Sequence, residues 1–131
     1  MKYKTSIPLF PLFAILILIL QSCGNTQKET VEYLHSSGDQ SIRLNILTGN
    51  DYLIYNTPTR LDFEWTNIEP ELAIIGGTGI KMLGYEGNKT KTEFTVTKEN
   101  LKTDTLHITI LYRKNDRRVP ASFHIPVREK E

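Results

Sequence analysis

From Ser41 to the C terminus, hydrophobic and polar residues alternate with the period of two that is typical of β-strands. The clearest segment is residues 60–65, in which Leu61, Phe63 and Trp65 each follow a charged residue. Similar alternation occurs at residues 42–46, 106–112 and 123–127, and weaker alternation occurs at 52–55, 72–75, 80–85 and 93–97. The pattern predicts about seven to eight short strands, spaced roughly ten residues apart.

The regular spacing of these strands indicates an all-β domain over residues 41–131. Clusters rich in Gly, Asn and Asp separate the strands, as expected for turns. A segment of this length and strand count fits a single immunoglobulin-like β-sandwich better than a closed barrel. Pro120 and Pro126 indicate that the last strand is an edge strand or is bulged. The residues expected to supply the core are Phe63, Trp65, Phe94, Ile108, Ile110 and Phe123.

Residues 1–22 have the layout of a secretory signal peptide. Lys2 and Lys4 provide a basic start, and residues 7–20 are apolar apart from two prolines that interrupt the run. As a helix, this segment would span about 21 Å, which is shorter than the hydrocarbon core of about 30 Å. The segment is therefore expected to be a cleaved leader.

Leu20, Ser22 and Cys23 resemble the bacterial lipobox, in which an aliphatic residue and a small residue precede an obligatory cysteine. Cys23 is the single cysteine of the chain, and it stands where the lipobox requires it. The resemblance implies that Cys23 receives a diacylglyceryl group, that cleavage occurs before it, and that its amine is then acylated. Two or more acyl chains hold a protein stably on a membrane. The alternative is a buried free cysteine or an ordinary secreted protein.

Residues 23–40 are expected to form the lipidated cysteine and a polar tether. Gly24 follows Cys23, so no aspartate marks retention in the inner membrane. The residues after it include one acid and one base, not the acidic cluster that sends some Bacteroidota lipoproteins to the cell surface. We therefore expect a lipid anchor in the outer membrane, with the domain facing the periplasm.

The charge of the chain argues against nucleic acid as a partner. The 131 residues carry 16 Lys and Arg against 15 Asp and Glu, and removal of Lys2 and Lys4 with the leader leaves 14 basic residues. A nearly neutral protein lacks the basic footprint that nucleic acid requires. One cysteine excludes a disulfide framework, a Cys-based zinc site and an iron–sulfur cluster.

The sequence contains no catalytic constellation, and we expect no enzyme activity, cofactor or metal. The Gly-x-Ser-x-Gly and His-Glu-x-x-His motifs are absent, and an acylated Cys23 is not a nucleophile. Glycines at residues 76–79 precede a predicted strand, which indicates a turn and not a phosphate loop. His107 and His124 occupy outward positions and would be neighbours if their strands pair, but solvated histidines are expected there rather than a metal site.

Three further features leave alternatives open. Residues 113–118 form a basic hairpin tip that could meet lipid phosphates or an acidic protein, although a solvated turn that resists aggregation is the simpler interpretation. Tyr52, Tyr55 and Tyr85 could bind a ligand on loops or could pack in the core and rim. Thr105 lies in an Asp-Thr-Leu triplet that matches the short O-glycosylation signal of periplasmic Bacteroidota proteins.

The sequence has an aliphatic-Tyr strand at residues 53–55, an Asn-Pro-like turn at 56–58, a short apolar strand at 61–63, a Gly-Gly hairpin at 76–79 and later strands at 94–96 and 123–127. In this order of strands and turns, the stretch from Tyr52 to Val127 is similar to a β-sandwich repeat in the periplasmic part of the GldM family of gliding-motility and type IX secretion proteins. GldM proteins have a transmembrane helix and several domains, whereas this chain has a lipobox and one domain, so no functional residue is transferred. The resemblance implies an interaction module in the same kind of envelope.

These observations predict a membrane-anchored, non-catalytic adaptor that binds another protein of the cell envelope. The alternative is a lipoprotein that binds a glycan or a small molecule. A cluster of loop aromatics at one end of the sandwich would favour ligand binding, whereas a flat apolar sheet edge would favour the adaptor.

Overall fold

The computed structural model describes residues 31–131, which contain nine β-strands and two 3₁₀ helices. The strands are β1 (Val31–Ser37), β2 (Gln40–Ile46), β3 (Leu53–Ile54), β4 (Thr59–Thr66), β5 (Ile74–Gly76), β6 (Ile80–Glu86), β7 (Lys89–Phe94), β8 (Thr105–Lys114) and β9 (Arg117–Arg128). The 3₁₀ helices are Pro70–Leu72 and Lys98–Asn100. Within these residues, no helix is long and apolar enough to cross a membrane.

The strands form two sheets that pack against each other. One sheet has the order β1-β2-β4-β7-β6 and the other has the order β3-β9-β8-β5. Neighbouring strands are antiparallel except β3, which runs parallel to β9. With β1 set aside, β2-β4-β7-β6 corresponds to strands A-B-E-D of an immunoglobulin domain, and β5-β8-β9 corresponds to C-F-G. The predicted immunoglobulin-like sandwich is confirmed.

The inward faces of both sheets meet in one hydrophobic core. All six residues predicted for the core are buried, and none of them is more than 4% exposed. Two buried threonine hydroxyls form hydrogen bonds with groups of β4, which offsets the cost of their burial. Trp65 Nε1 donates to Thr90 Oγ1 at 2.9 Å, and Thr92 Oγ1 donates to the Leu61 carbonyl at 2.6 Å.

The sandwich begins ten residues earlier than predicted, so the expected tether at residues 23–40 is too long. Residues 31–37 form β1 and pair with β2 along their whole length. Tyr33 on the inward face packs against the core, but an outward leucine and an inward histidine beside it conceal the strand in the sequence. Leu34 is 60% exposed, whereas His35 turns inward and its Nε2 lies 3.1 Å from Tyr112 Oη.

Strand β7 occupies residues 89–94 and not the predicted 93–97. Its inward positions before Phe94 are Thr90 and Thr92, which are buried at 1% and 0% exposure. Threonine counts as polar in a hydrophobicity pattern, yet its methyl group can pack in a core when its hydroxyl forms a hydrogen bond. The strand was therefore predicted too far along the chain.

Strand β9 lies between β3 and β8, so the edge predicted from Pro120 and Pro126 holds only for the part of β9 that the short strand β3 leaves unpaired. One side of β9 pairs with β8, but the other side pairs with β3 only at Val127 and Arg128. The Val127 N–H donates to the Asp104 carbonyl at 3.0 Å. Because bonded residues alternate along an antiparallel strand, even-numbered residues of β9 point their backbone groups away from β8. Neither proline removes a required donor.

Candidate functional site

The outer face of the five-stranded sheet is covered by charges of alternating sign. One cross-strand row contains Arg43, Glu64 and Lys89. In another part of the face, Arg60 Nη2 lies 3.2 Å from Asp62 Oδ1. Such a face is well solvated and resists association with other sheets. The charged residues of this surface, hereafter the charged face, are Arg43, Arg60, Asp62, Glu64, Lys81, Glu86, Lys89, Lys91 and Glu93.

The outer face of the four-stranded sheet carries no Asp, Glu, Lys or Arg over four consecutive cross-strand rows. Since rows on one face lie two residues apart, this surface extends about 20 Å along the strands. Ile74 at its β5 margin is 47% exposed, so apolar atoms lie open to solvent. The surface, hereafter the uncharged face, consists of Thr105–Pro126, His107–His124, Thr109–Ser122 and Leu111–Pro120, with Gly76 beside Thr109 and Ile74 beside Leu111.

The uncharged face shares one feature of composition with the centre of a protein interface, the depletion of charged residues. Charged residues are depleted there because their desolvation is costly. The contrast with the charged face shows that the sandwich does not need uncharged outward positions in order to fold. The sequence shows that alternate residues of 105–111 and 120–126 are uncharged. It does not show that these residues form one surface together with β5.

Arginines stand at both ends of the uncharged face. The next row at one end is Arg113–Arg118, and Arg128 follows the last row at the other end. Lys114 and Arg117 are also directly opposite, and like charges in this arrangement destabilise a hairpin. Ion pairs formed within residues 31–131 involve none of these side chains. The basic tip predicted at residues 113–118 thus presents charge that is not neutralised by an internal ion pair.

His107 and His124 are direct cross-strand neighbours near the middle of the uncharged face. Their ring centroids lie 4.4 Å apart with an interplanar angle of 79°. Both residues are exposed. Neither imidazole hydrogen-bonds to another residue of the described chain.

The edge strand β6 exposes a second apolar surface. Met82 is 48% exposed, Leu83 is 42% exposed and Tyr85 is 51% exposed. A bulge between Met82 and Gly84 interrupts the pairing of β6 with β7, and bulges discourage edge-to-edge association. This edge is apolar but irregular.

The hydroxyl of Tyr55 is not available to a ligand. Its side chain is 5% exposed and donates a hydrogen bond to Asp104 Oδ1. That hydrogen bond, with burial and the charge of Asp104, raises the pKa of Tyr55 to about 12. Tyr55 thus connects the loop of residues 101–104, which contains Asp104, to the core.

The three tyrosines do not form one cluster. Tyr52 packs against Arg128, whose guanidinium carbon lies 4.1 Å from the ring centroid. Tyr85 pairs with Thr90 near the start of β7, whereas Asn56, next to Tyr55, donates to the Val96 carbonyl beyond the end of that strand. Six residues of extended chain separate these two contacts, which is about 20 Å. A single aromatic platform is therefore not built from them.

Thr105 is half-buried at the start of β8, opposite Pro126. It lines an open groove of about 430 Å³ with Thr78, residues 100–103, Leu106 and His107. The hydroxyl therefore borders solvent, and its modification by a glycan stays a prediction. The groove is lined mainly by threonine, asparagine and lysine and holds no aromatic platform other than His107.

Residues 31–131 contain no group of three or more His, Cys, Asp or Glu side chains that could hold a metal ion. Gly76–Gly79 joins β5 to β6 as the predicted turn. The predicted lipidation residue, Cys23, lies outside the described residues.

Comparisons with known proteins supply no family for this chain. No protein-family model, no curated protein and no solved structure matches it. The surfaces described above are thus the basis for a functional conclusion.

Proposed function

We propose that this protein is a non-catalytic adaptor of the bacterial cell envelope, anchored to the outer membrane through lipid on Cys23 and docking another envelope protein on its uncharged face. The observation that carries the proposal is the contrast between the two outer faces of one sandwich. One face holds nine charged residues and the other holds none over four rows. Solvation alone does not account for that asymmetry.

The anchor limits how the domain is placed. Eight peptide steps join Cys23 to Val31, and a fully extended chain of that length reaches at most about 28 Å. The domain would therefore stay close to the bilayer. Ser37, at the far end of β1, accepts a hydrogen bond from Lys114 Nζ at 2.5 Å, so the basic tip lies about 20 Å along β1 from the anchored end. An acidic protein is favoured over lipid phosphates of the anchoring membrane.

The partner has a definite chemistry. It presents an apolar or neutral patch about 20 Å long to the four uncharged rows. Acidic side chains on the partner would face Arg113 and Arg118 at one end and Arg128 at the other. Such complementary charges fix the register of docking and raise the association rate. The resemblance to GldM repeats and the lipobox support a periplasm-facing location.

The proposal is tested by site-specific photocrosslinking in cells that make the full chain with a tag after Glu131. A photoreactive phenylalanine analogue replaces Ser122 on the uncharged face or Lys81 on the charged face; both side chains are exposed. We expect a discrete crosslinked protein from position 122 and not from position 81. Equal crosslinking from both positions, or none from position 122, would contradict docking on this face.

Two matched charge insertions extend the test. Ser122→Glu places a carboxylate in the uncharged face, and Thr66→Glu places one at an exposed position of the opposite sheet. We expect the crosslinked partner to be lost with the first variant and retained with the second. A Cys23→Ala chain tests the anchor separately, because a partner held in the outer membrane should be recovered less from it.

The groove beside His107 gives the ligand-binding alternative a specific location. Glycan arrays and small-molecule screens would distinguish the two functions. A ligand that protects Thr103 and Thr105 from solvent, together with no crosslinked protein, would favour the alternative. The dispersal of the tyrosines supports the adaptor.

A further inference from the structure

We propose that His107 and His124 form a surface site for a divalent transition-metal ion, with copper(II) as the ion held most tightly. The two residues stand directly opposite each other on β8 and β9. The metal would be bound through one ring nitrogen of each imidazole. In the protein without a docked partner, the remaining coordination positions would face solvent and hold water.

The spacing of the rings fits two adjacent ligands of one ion. A metal–nitrogen bond of about 2.0 Å, added to roughly 1.1 Å from nitrogen to ring centre, places the ion about 3.1 Å from each centroid. Two such ligands at a right angle have centroids about 4.4 Å apart, and two at a tetrahedral angle have them about 5.1 Å apart. The observed separation is 4.4 Å. The rings thus already lie at about the separation that adjacent ligands of one ion need, and rotation from their edge-to-face arrangement would turn one nitrogen of each toward that ion.

The pairing geometry places the two side chains close to each other. The Val127 N–H donates a hydrogen bond to the Asp104 carbonyl, so these two residues form a hydrogen-bonded pair between β9 and β8. In an antiparallel pair, hydrogen-bonded and non-hydrogen-bonded residue pairs alternate along the strands. His107 and His124 lie three rows from the Asp104–Val127 pair, and an odd number of rows makes them a non-hydrogen-bonded pair. Side chains approach most closely at such pairs. The backbone therefore brings the rings together without help from a third element.

Both imidazoles are free to bind an ion. They are exposed, and neither makes a hydrogen bond within residues 31–131. β8 and β9 pair over ten rows, so the backbone under the site is well fixed. Only side-chain rotation is needed to direct the nitrogens toward one point. Preorganisation of this kind lowers the entropic cost of binding.

The ligand set selects the class of ion. Neutral imidazole suits copper, zinc and nickel, whereas magnesium and calcium require oxygen ligands. The affinity of a nitrogen site rises along the first transition row to copper(II) and falls again at zinc. Zinc would have two of its four tetrahedral positions filled by water, because two protein ligands are present.

The site is tested with copper(II) alone as the probe. The full chain carries Cys23→Ala, so that no thiol competes, and is held in detergent micelles. Affinity is measured by competition with a chromophoric chelator, and nitrogen ligation is measured by electron paramagnetic resonance. His107→Gln, His124→Gln and the double variant remove ligands, while His35→Gln is the matched control. His35 is the third histidine of the chain and contacts Tyr112 instead.

We expect one copper(II) per chain with two nitrogen ligands. Each single variant should weaken binding at least tenfold, the double variant should lose it, and His35→Gln should retain it. Copper should also raise the melting temperature of the parent and not that of the double variant, since an ion that binds only the folded state stabilises it. Parent-like affinity in the double variant, or a one-nitrogen spectrum in the parent, would overturn the proposal. Circular dichroism verifies that each exposed substitution leaves the fold intact.

Discussion

Gly79 provides a sharp test of the β5–β6 connection. Its backbone has φ +78°, and a Cβ added there would lie 2.0 Å from the Thr95 carbonyl oxygen. The Gly79 carbonyl also accepts a hydrogen bond from the Thr95 N–H at 3.0 Å. A Gly79→Ala substitution therefore meets backbone that belongs to the same hydrogen-bonded contact, and no side-chain rotation can relieve the overlap.

The matched control is Gly87→Ala. Gly87 has φ +61°, and a Cβ there would meet nothing within 4 Å. Both substitutions place alanine in the left-handed region, which costs about 1–2 kcal/mol. At Gly79, separation of residues 79 and 95 also loses a hydrogen bond worth about 0.5–1.5 kcal/mol and adds packing strain of about 1–3 kcal/mol. The expected difference between the two variants is about 1.5–4.5 kcal/mol.

Urea unfolding followed by Trp65 fluorescence measures this difference, because Trp65 is 2% exposed in the folded protein. We expect the urea concentration at the midpoint of unfolding to fall modestly for Gly87→Ala and much further for Gly79→Ala. The dependence of the unfolding free energy on urea concentration should be similar in both variants. Costs that agree within about 0.5 kcal/mol would mean that left-handed strain alone explains both. The close approach of residues 79 and 95 would then be refuted.

The remaining predictions concern a buried hydroxyl, a titrating tyrosine and the anchor. Thr92→Val removes the hydrogen bond to the Leu61 carbonyl at full burial, and we expect a loss of about 1–3 kcal/mol in urea unfolding; an unchanged midpoint would contradict it. The pKa of Tyr55 is about 12 against an ordinary value of 10, so stability from its neutral form is complete below pH 10 and falls as pH rises toward 12. Tyr55→Phe should flatten that part of the pH profile of unfolding, and a profile that keeps the same fall would assign it to another group. Cys23→Ala should abolish the incorporation of labelled palmitate into the protein, since Cys23 is the predicted site of acylation, and labelling of the variant at the parent's level would refute lipidation at this residue.

Local sequence was sufficient for much of the fold. Alternation at residues 60–65 and 106–112 placed β4 and β8 with the correct inward residues, because strand side chains point to opposite faces in turn. The turn between β8 and β9 is equally local. Asn115 and Asp116 both adopt positive φ, at 51° and 63°, which is the conformation that a two-residue hairpin needs.

Alternation failed where burial depended on a partner from elsewhere in the chain. β1 was missed because His35 and not Leu34 turns inward, and that orientation is set by pairing with β2 and contact with Tyr112. The start of β7 was missed because Thr90 and Thr92 are buried by Trp65 and the Leu61 carbonyl. Burial of these two hydroxyls is favourable only because their hydrogen-bond partners, Trp65 Nε1 and the Leu61 carbonyl, belong to β4.

The candidate site depended still more on tertiary structure. The sequence alone determined that the chain has a lipobox-like Cys23, an alternating β-domain and histidines at outward positions 107 and 124. The pairing of β8 with β9, and of β8 with β5, decided that those histidines touch and that four uncharged rows form one surface. A residue's outward direction follows from the local pleat, but its neighbour across the sheet follows from strand order. Strand order is fixed by the packing of two sheets around one core, and it cannot be inferred from the sequence of any single strand.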